Sequence, residues 1–163
     1  MLSPGIYSSW QKLQKEKFIK IKNMLGPFVG EIFSSRTILD IGCGFGYLEK
    51  EFKCSFIGVD KDISMLKNSV KIFQKVLADA KELPFKSDSF DVVVSIDTMH
   101  TVEGVDFQRV LRKDGMALLS IFFNDENYSE KRKVLIEKVK DMKILHEFEL
   151  PGREKEYVLI ARK

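Results

Sequence analysis

The sequence predicts an α/β protein with a doubly wound, mostly parallel sheet and helices on both faces. From residue 37 onward, short strand-like runs alternate with short helical runs, and such alternation builds parallel sheets. The runs 90–96 and 116–123 are apolar without alternation, as expected of strands that are buried on both faces. Ligands are then expected at the carboxyl ends of the strands.

The individual elements follow from local patterns. Apolar residues at helical spacing predict a first helix over 9–25, which Gly26 and Pro27 end, and a short helix over 28–33. Strands are expected at 37–41, 55–60, 73–78, 90–96 and 116–123. Helices are expected at 47–52, from Asp62 to about 70, around 107–111, and from Asn127 to about 142. Segments 143–150 and 157–161 predict a closing hairpin that places one antiparallel strand in the sheet.

Composition excludes several classes. A chain of 163 residues has the size of one domain, and 27 basic against 24 acidic residues give a charge of only +3, which does not indicate nucleic-acid binding by bulk charge. The longest apolar run is too short to span a membrane, and no secretory signal is visible. Two cysteines with two remote histidines predict neither a disulfide framework nor a zinc site. We therefore expect a cytoplasmic protein with no membrane partner.

A glycine-rich loop follows the first predicted strand. Gly42, Gly44 and Gly46 allow the backbone to turn sharply and to approach a ligand closely. Asp60 ends the second predicted strand, 18 positions after Gly42. A carboxylate there can accept hydrogen bonds from both hydroxyls of a ribose. The loop and the acid together predict a site for an adenosine-type cofactor.

The spacing of the glycines in this loop distinguishes between two candidate cofactors. In the dinucleotide fingerprint G-x-G-x-x-G the third glycine comes one position later than Gly46 does. Asp40 precedes Gly42 by two residues, and its charge is poorly placed beside a pyrophosphate but suits a ligand with an amino group. The pattern points away from NAD and toward S-adenosylmethionine, which leaves a dinucleotide-dependent oxidoreductase as a distant alternative.

The run LDIGCGFG at 39–46 resembles motif I of the class I S-adenosylmethionine-dependent methyltransferases. Asp60 matches that family's acid at the end of the second strand, and 77–95 resembles its next signature. The resemblance covers about 37–163 and implies a Rossmann-like seven-stranded sheet, S-adenosylmethionine as cofactor and S-adenosylhomocysteine as product. The cofactor contacts that it implies are Asp40, Gly42, Cys43, Gly44, Gly46, Asp60, Lys61, Asp79, Ala80, Ser95 and Ile96. For Cys43 and Lys61, a packed thiol and a solvated lysine are the simpler interpretations.

The resemblance also implies methyl transfer to an O, N or C atom, and we expect a small-molecule acceptor. Alternatives are an RNA or protein methyltransferase and a non-catalytic S-adenosylmethionine-binding regulator or scaffold. Because this reaction mainly needs positioning, no catalytic residue is required; His100 is a candidate base, although a pocket or surface histidine is the simpler interpretation. Asp97, Asn124 and Asp125 could hold Mg²⁺, but loop and cap roles are favoured and no metal is predicted.

A single domain is expected over 1–163, with a cofactor-binding core at 37–163 and an N-terminal segment at 1–36. That segment is expected to serve acceptor recognition, with Tyr7 and Trp10 as a possible lid over the cofactor. Its predicted helix has a lysine-rich face that could bind phosphate or simply be solvated: Lys12, Lys15, Lys17, Lys20 and Lys22. A second copy of the chain or a partner chain could also contribute to recognition.

Overall fold

A single seven-stranded sheet forms the centre of the molecule. The computed structural model describes residues 4–34, 37–52, 54–71, 73–152 and 154–163, with 4–10 described by their backbone alone. The strands are β1 (Ile38–Ile41), β2 (Phe56–Asp60), β3 (Gln74–Leu77), β4 (Phe90–Ile96), β5 (Leu111–Phe123), β6 (Lys143–Leu150) and β7 (Lys155–Arg162). Their order is β3-β2-β1-β4-β5-β7-β6. Strand β7 is antiparallel to β5 and β6, whereas the other pairs are parallel, so the predicted fold class is confirmed.

Helices cover both faces of this sheet. They are α1 (Pro4–Met24), α2 (Phe28–Phe33), α3 (Tyr47–Phe52), α4 (Ile63–Asn68), α5 (Phe107–Val110) and α6 (Tyr128–Lys138), with a 3₁₀ turn at Met99–Thr101. As predicted, Asp62 caps α4, where its carboxylate accepts hydrogen bonds from the Ser64 and Met65 amides. None of the described helices is long and apolar enough to cross a membrane.

Three predicted boundaries are wrong. Helix α1 begins at Pro4 rather than near residue 9, since proline fits the first turn of a helix. Strand β5 begins at Leu111, where the end of a helix was expected, rather than at residue 116, and contains Asp114 with a φ of 65°. Helix α6 ends at Lys138, although Val139 and Met142 beyond it are buried in the core as the pattern required.

Two apolar clusters lie on opposite faces of the sheet. Leu39, Ile41 and Val93 face one cluster, which α5 and α6 cover. Ile38, Val92 and Val94 face the other, where α1 packs through Phe18, Ile21 and Leu25. Neighbouring residues of β1 and β4 thus alternate between two buried faces. The carboxyl ends of these strands meet at one edge of the sheet, close to α1.

Candidate functional site

The glycine loop after β1 has the conformation that its sequence predicts. Gly42 has a φ of 81°, and its amide donates to the Val59 carbonyl oxygen at 2.8 Å. A Cβ atom at Gly42 would lie 2.2 Å from the Thr98 hydroxyl, so a larger residue does not fit. At Gly44 the nearest atom to such a Cβ is the Met65 sulfur at 3.9 Å. The loop therefore packs tightly at Gly42 and is open at Gly44.

Asp60 is held in place by the loop that faces it. Its Oδ2 accepts a hydrogen bond from the Gly44 amide at 2.9 Å, and its Oδ1 accepts one from the Asp62 amide at 2.9 Å. Parallel pairing of β1 with β2 brings Asp60 beside the loop. Each carboxylate oxygen retains a second lone pair. Asp60 can therefore accept two further hydrogen bonds from a diol such as a ribose.

Two adjoining cavities open at this edge. The main cavity has a volume of about 490 Å³, and its lining includes six predicted contacts: Asp40, Gly42, Cys43, Gly44, Asp60 and Ile96. The side cavity, of about 190 Å³, is lined by further predicted contacts: Lys61, Asp79 and Ala80. Gly42, Asp60 and Thr98 line both. An elongated ligand with a diol near its middle fits this arrangement.

Three predicted residues lie outside both linings. A Cβ atom at Gly46 would lie 2.3 Å from the Phe73 ring, and the Ser95 hydroxyl donates to the Ile41 carbonyl oxygen at 2.9 Å. Both residues shape the protein around the cavities. His100 lies in the 3₁₀ turn, and burial lowers its pKa despite the opposing charge of Asp97. Its role as a base stays a prediction.

Asp40 and Cys43 line the main cavity in an acidic environment. Burial, and next the charge of Glu49, raise the pKa of Asp40 well above its usual range. Burial likewise raises the pKa of the Cys43 thiol. A thiol with a raised pKa is a poor nucleophile, in keeping with a packing role for Cys43.

A buried ionic network that the sequence did not reveal lies beside the main cavity and reaches its lining through Asp97. Lys17 of α1 lies 2.6 Å from Asp97 Oδ2 and 3.2 Å from Glu156 Oε2. The Ser120 hydroxyl donates to Glu156 Oε1, and the Phe122 amide donates to Asp97 Oδ1 at 2.6 Å. We call Lys17, Asp97, Ser120 and Glu156 the Lys17 network. It fixes α1 against the ends of β4, β5 and β7.

Burial and charge act against each other within the Lys17 network. Burial lowers the pKa of Lys17, but the charges of Glu156 and Asp97 outweigh this effect and leave that pKa raised. Burial raises the pKa of Glu156 to about 7, although Lys17 opposes the change. Asp97 has a φ of 55°, a costly conformation for a residue with a side chain. Its two bonded carboxylate oxygens hold it there, at the wall of the main cavity.

The five lysines of the first helix do not share one face. Lys17 is buried, with 8% of its surface exposed, and Lys20 donates to the Pro151 carbonyl oxygen. Lys12, Lys15 and Lys22 instead line a groove of about 780 Å³ with Lys50 of α3, which we call the basic groove. Tyr47, which accepts a hydrogen bond from Gln11 at 2.7 Å, lines both the groove and the main cavity. The two sites are therefore neighbours.

Two other expectations concern a lid and a metal. The side chains of Tyr7 and Trp10 lie outside the described residues, so the lid stays a prediction. In the described part of the chain, no three His, Cys, Asp or Glu residues group as metal ligands. Asp125 forms an ion pair with Lys155, and Asn124 accepts hydrogen bonds from the Glu126 and Asn127 amides.

The strand order with its reversed β7, and the glycine loop facing Asp60, define a class I S-adenosylmethionine-dependent methyltransferase fold. The chain belongs to this family: the model described as "Methyltransferase domain" matches residues 39–119. S-adenosylmethionine is the cofactor that the family implies, and the adjoining cavities with acids at Asp40 and Asp60 fit it.

Two relatives of similar sequence have names that describe different activities. The chain is 27% identical over 126 residues to a tRNA (carboxymethyluridine(34)-5-O)-methyltransferase of Xenopus tropicalis, covering 66% of this chain and 19% of the relative. It is 36% identical over 102 residues to the human mitochondrial arginine-hydroxylase NDUFAF5, covering 55% and 30%. It thus spans less than a third of the length of either relative.

Solved structures confirm the fold. A chain from the complex of the Haloferax volcanii Trm112 methyltransferase activator with a methyltransferase matches with a TM-score of 0.67 at 13% identity, covering 96% of this chain and 95% of that one. A methyltransferase of Methanosarcina mazei matches with a TM-score of 0.65 at 20% identity, covering 78% and 92%.

Proposed function

We propose that this chain transfers a methyl group from S-adenosylmethionine to an O, N or C atom of a small-molecule acceptor. The observation that supports this most is the main cavity, whose lining combines the acids Asp40 and Asp60 with a second set of mainly apolar side chains. The adenosine part would lie in the side cavity near Asp79 and Ala80, the ribose at Asp60, and the amino group toward Asp40.

The second set of side chains has the character of a site for a small acceptor. Phe18, Ile96 and Phe122 provide apolar surface there, and Asp97 and Thr98 provide polar atoms. Pockets for small ligands combine mainly apolar walls with a few placed polar groups. The Asp97 carboxylate, fixed by Lys17 and by the Phe122 amide, can orient an acceptor hydroxyl or amine and take up the proton that such a group loses.

Catalysis in this proposal rests on positioning. S-adenosylmethionine supplies an activated methyl group, and the protein holds the acceptor in line with it while water is excluded. Well-oriented reactants reach effective concentrations on the order of 10⁵–10⁸ M. The Lys17 network contributes by fixing α1, and with it Phe18, as a wall of the cavity.

The basic groove favours a second candidate, an RNA acceptor. Four lysines surround a concave surface that adjoins the main cavity, and phosphates bind such surfaces. One relative is named as a tRNA methyltransferase, whereas another is named as an arginine hydroxylase, so the relatives do not select the acceptor. A partner chain stays a further possibility, since one structural neighbour comes from a complex with an activator.

Calorimetry with S-adenosylmethionine and with NAD tests the cofactor. We expect S-adenosylmethionine to bind and Asp60→Ala to weaken binding at least about tenfold, because one lost charged hydrogen bond costs about 1.5–3 kcal/mol. Binding of NAD alone would contradict the proposal.

Transfer of a tritiated methyl group into fractionated cell extract tests the acceptor. Label in the small-molecule fraction supports the first candidate. Label in RNA that is lost in a Lys12→Glu/Lys15→Glu variant, with S-adenosylmethionine binding unchanged, supports the second. Label in no fraction would favour a non-catalytic binding module.

A further inference from the structure

Glu49 is a buried carboxyl group that the proposed function does not use. It lies on the inner side of α3 with 0% of its surface exposed, and neither of its carboxylate oxygens has a hydrogen-bond partner among the described residues. Buried polar groups are nearly always hydrogen-bonded, and an unpartnered buried carboxylate is costly. The position of Glu49 therefore requires an explanation.

The neighbouring polar side chain supplies one. Asp40 interacts directly with Glu49, is itself only 3% exposed, and lines the main cavity. Two interacting carboxylates that are away from water and lack a neighbouring cation strongly disfavour double ionisation, and such pairs hold a proton between them. Burial raises the pKa of Glu49 to about 7, and burial and next the charge of Glu49 raise the pKa of Asp40 well above its usual range.

The other charged and titratable groups around the pair do not remove the need for a proton. Asp60 of β2 adds a further negative charge near Asp40. Lys75 of β3 attracts Glu49, but its ammonium group is bonded to the Leu66 and Ser69 carbonyl oxygens. The thiols of Cys43 and Cys54 also lie near the pair, and burial raises the pKa of each.

We propose that Asp40 and Glu49 share a proton in the free protein and release it to water when S-adenosylmethionine binds, with Glu49 acting as a positioning residue through Asp40. The inference rests on the proposed cofactor site, in which Asp40 faces the amino group of the ligand. A positive charge brought beside Asp40 favours the ionised pair, so one O–H bond breaks and solvent takes the proton. In the bound state the repulsion between the two ionised carboxylates directs Asp40 toward the positive charge of the ligand.

This coupling makes affinity depend on pH in a defined direction. If binding releases one proton, affinity rises tenfold for each unit of pH. The dissociation constant of the wild-type protein is therefore expected to fall about 3- to 10-fold between pH 6 and pH 7. Glu49→Gln retains the side-chain shape and supplies an N–H donor to an ionised Asp40, so its dissociation constant is expected to change less.

Calorimetric titration of S-adenosylmethionine at pH 7, in two buffers of different ionisation enthalpy, counts the protons released. The wild-type protein should release about half to one proton more than Glu49→Gln. Glu130→Gln is the control, because Glu130 is an exposed glutamate of α6 outside the linings of both cavities, and it should release the wild-type number. Equal release by the wild type and Glu49→Gln would overturn the inference, whereas absence of binding to the wild type would contradict the proposed function instead.

Infrared difference spectroscopy of the wild-type protein gives a test that does not depend on any variant. Loss of the carbonyl stretching band of a protonated carboxyl group on binding supports proton release. A band that stays unchanged while the ligand binds would overturn it.

Discussion

Two parts of the main cavity each combine an aspartate with a buried glutamate, but the two pairs have different neighbours. Each has an aspartate that lines the cavity and a glutamate behind it whose pKa burial raises to about 7: Asp40 with Glu49, and Asp97 with Glu156. Lys17 lies within ion-pair distance of Asp97 and Glu156. In the part of the chain that the structure describes, none of the ion pairs includes Asp40 or Glu49.

In our proposal, the negative charge of the buried carboxylates is offset by a lysine in one wall and by a shared proton in the other. A lysine is fixed in the sequence and fastens a second element, α1, to the sheet. A proton exchanges with solvent and responds to the charge of a ligand. The two walls should therefore respond differently to mutation and to pH, and the following four experiments test that difference in order of decreasing effect.

Removing Lys17 should have the largest effect. We expect Lys17→Met to lower the free energy of unfolding by about 3–5 kcal/mol, because the loss of one partner leaves buried carboxylates without a cation. Urea unfolding measures this change. Lys20→Met is the control on the same helix, and it should change the free energy by less than about 0.5 kcal/mol because Lys20 is exposed. Equal losses of free energy in the two variants would show that the charge of Lys17 does not stabilise the buried carboxylates.

Raising the pH from 5 to 8 should lower the stability of the wild-type protein. Glu49 and Glu156 have pKa values of about 7 in the folded protein, above the unfolded value near 4.5, so the folded state binds more protons. Their stabilisation is complete below pH 4.5 and is lost as the pH rises through 7, by on the order of 1 kcal/mol per pH unit for each group.

Urea unfolding at several pH values measures that slope. The Glu49→Gln/Glu156→Gln variant is the control, and its stability should fall less steeply with pH than that of the wild type. Part of the fall remains because burial also raises the pKa of Asp40, and His100, whose lowered pKa makes the unfolded state bind the proton more readily, opposes it. A wild-type stability that rises from pH 5 to pH 8 would contradict both raised pKa values.

Glu156→Gln should have an intermediate effect. The amide oxygen can still accept the Ser120 hydrogen bond, but Lys17 loses one of its two anions. We expect a loss of about 1–2 kcal/mol at pH 5, which shrinks or reverses at pH 8, because ionisation of the buried Glu156 destabilises the wild type and cannot occur in the variant. Thermal or urea unfolding at both pH values measures this, and a loss that is the same at both would argue against titration of Glu156.

Glu49→Gln should have the smallest effect on stability. The glutamine amide replaces the shared proton as the donor to Asp40, so the charge of the pair at pH 7 stays the same. We expect a change of less than about 1 kcal/mol at pH 7. A loss as large as that of Lys17→Met would mean that Glu49 is paired with a cation and that the two walls are alike.

The glycine loop and Asp60 could be predicted from the sequence, whereas the Lys17 network could not, for a physical reason. The hydrogen bond between Gly44 and Asp60 joins residues 16 positions apart, within one strand–loop–helix–strand unit whose spacing is visible in the sequence. The Lys17 network joins four distant segments, and nothing local distinguishes Lys17 from the exposed Lys12 or Lys15 of the same helix. The start of β5 was missed because Asp114 and Gly115 have the composition of a turn, although the strand continues through them.

The ion pair between Lys17 and Glu156 has a consequence for biosynthesis. These residues are 139 positions apart, so Lys17 leaves the ribosome long before its partner in β7 exists. Contacts between such distant positions form late and slow folding. Until β7 has joined the sheet, Lys17 cannot pair with Glu156, and α1 is not yet fixed beside the cavity. The nascent chain therefore completes its ligand site only after β7 has been synthesised.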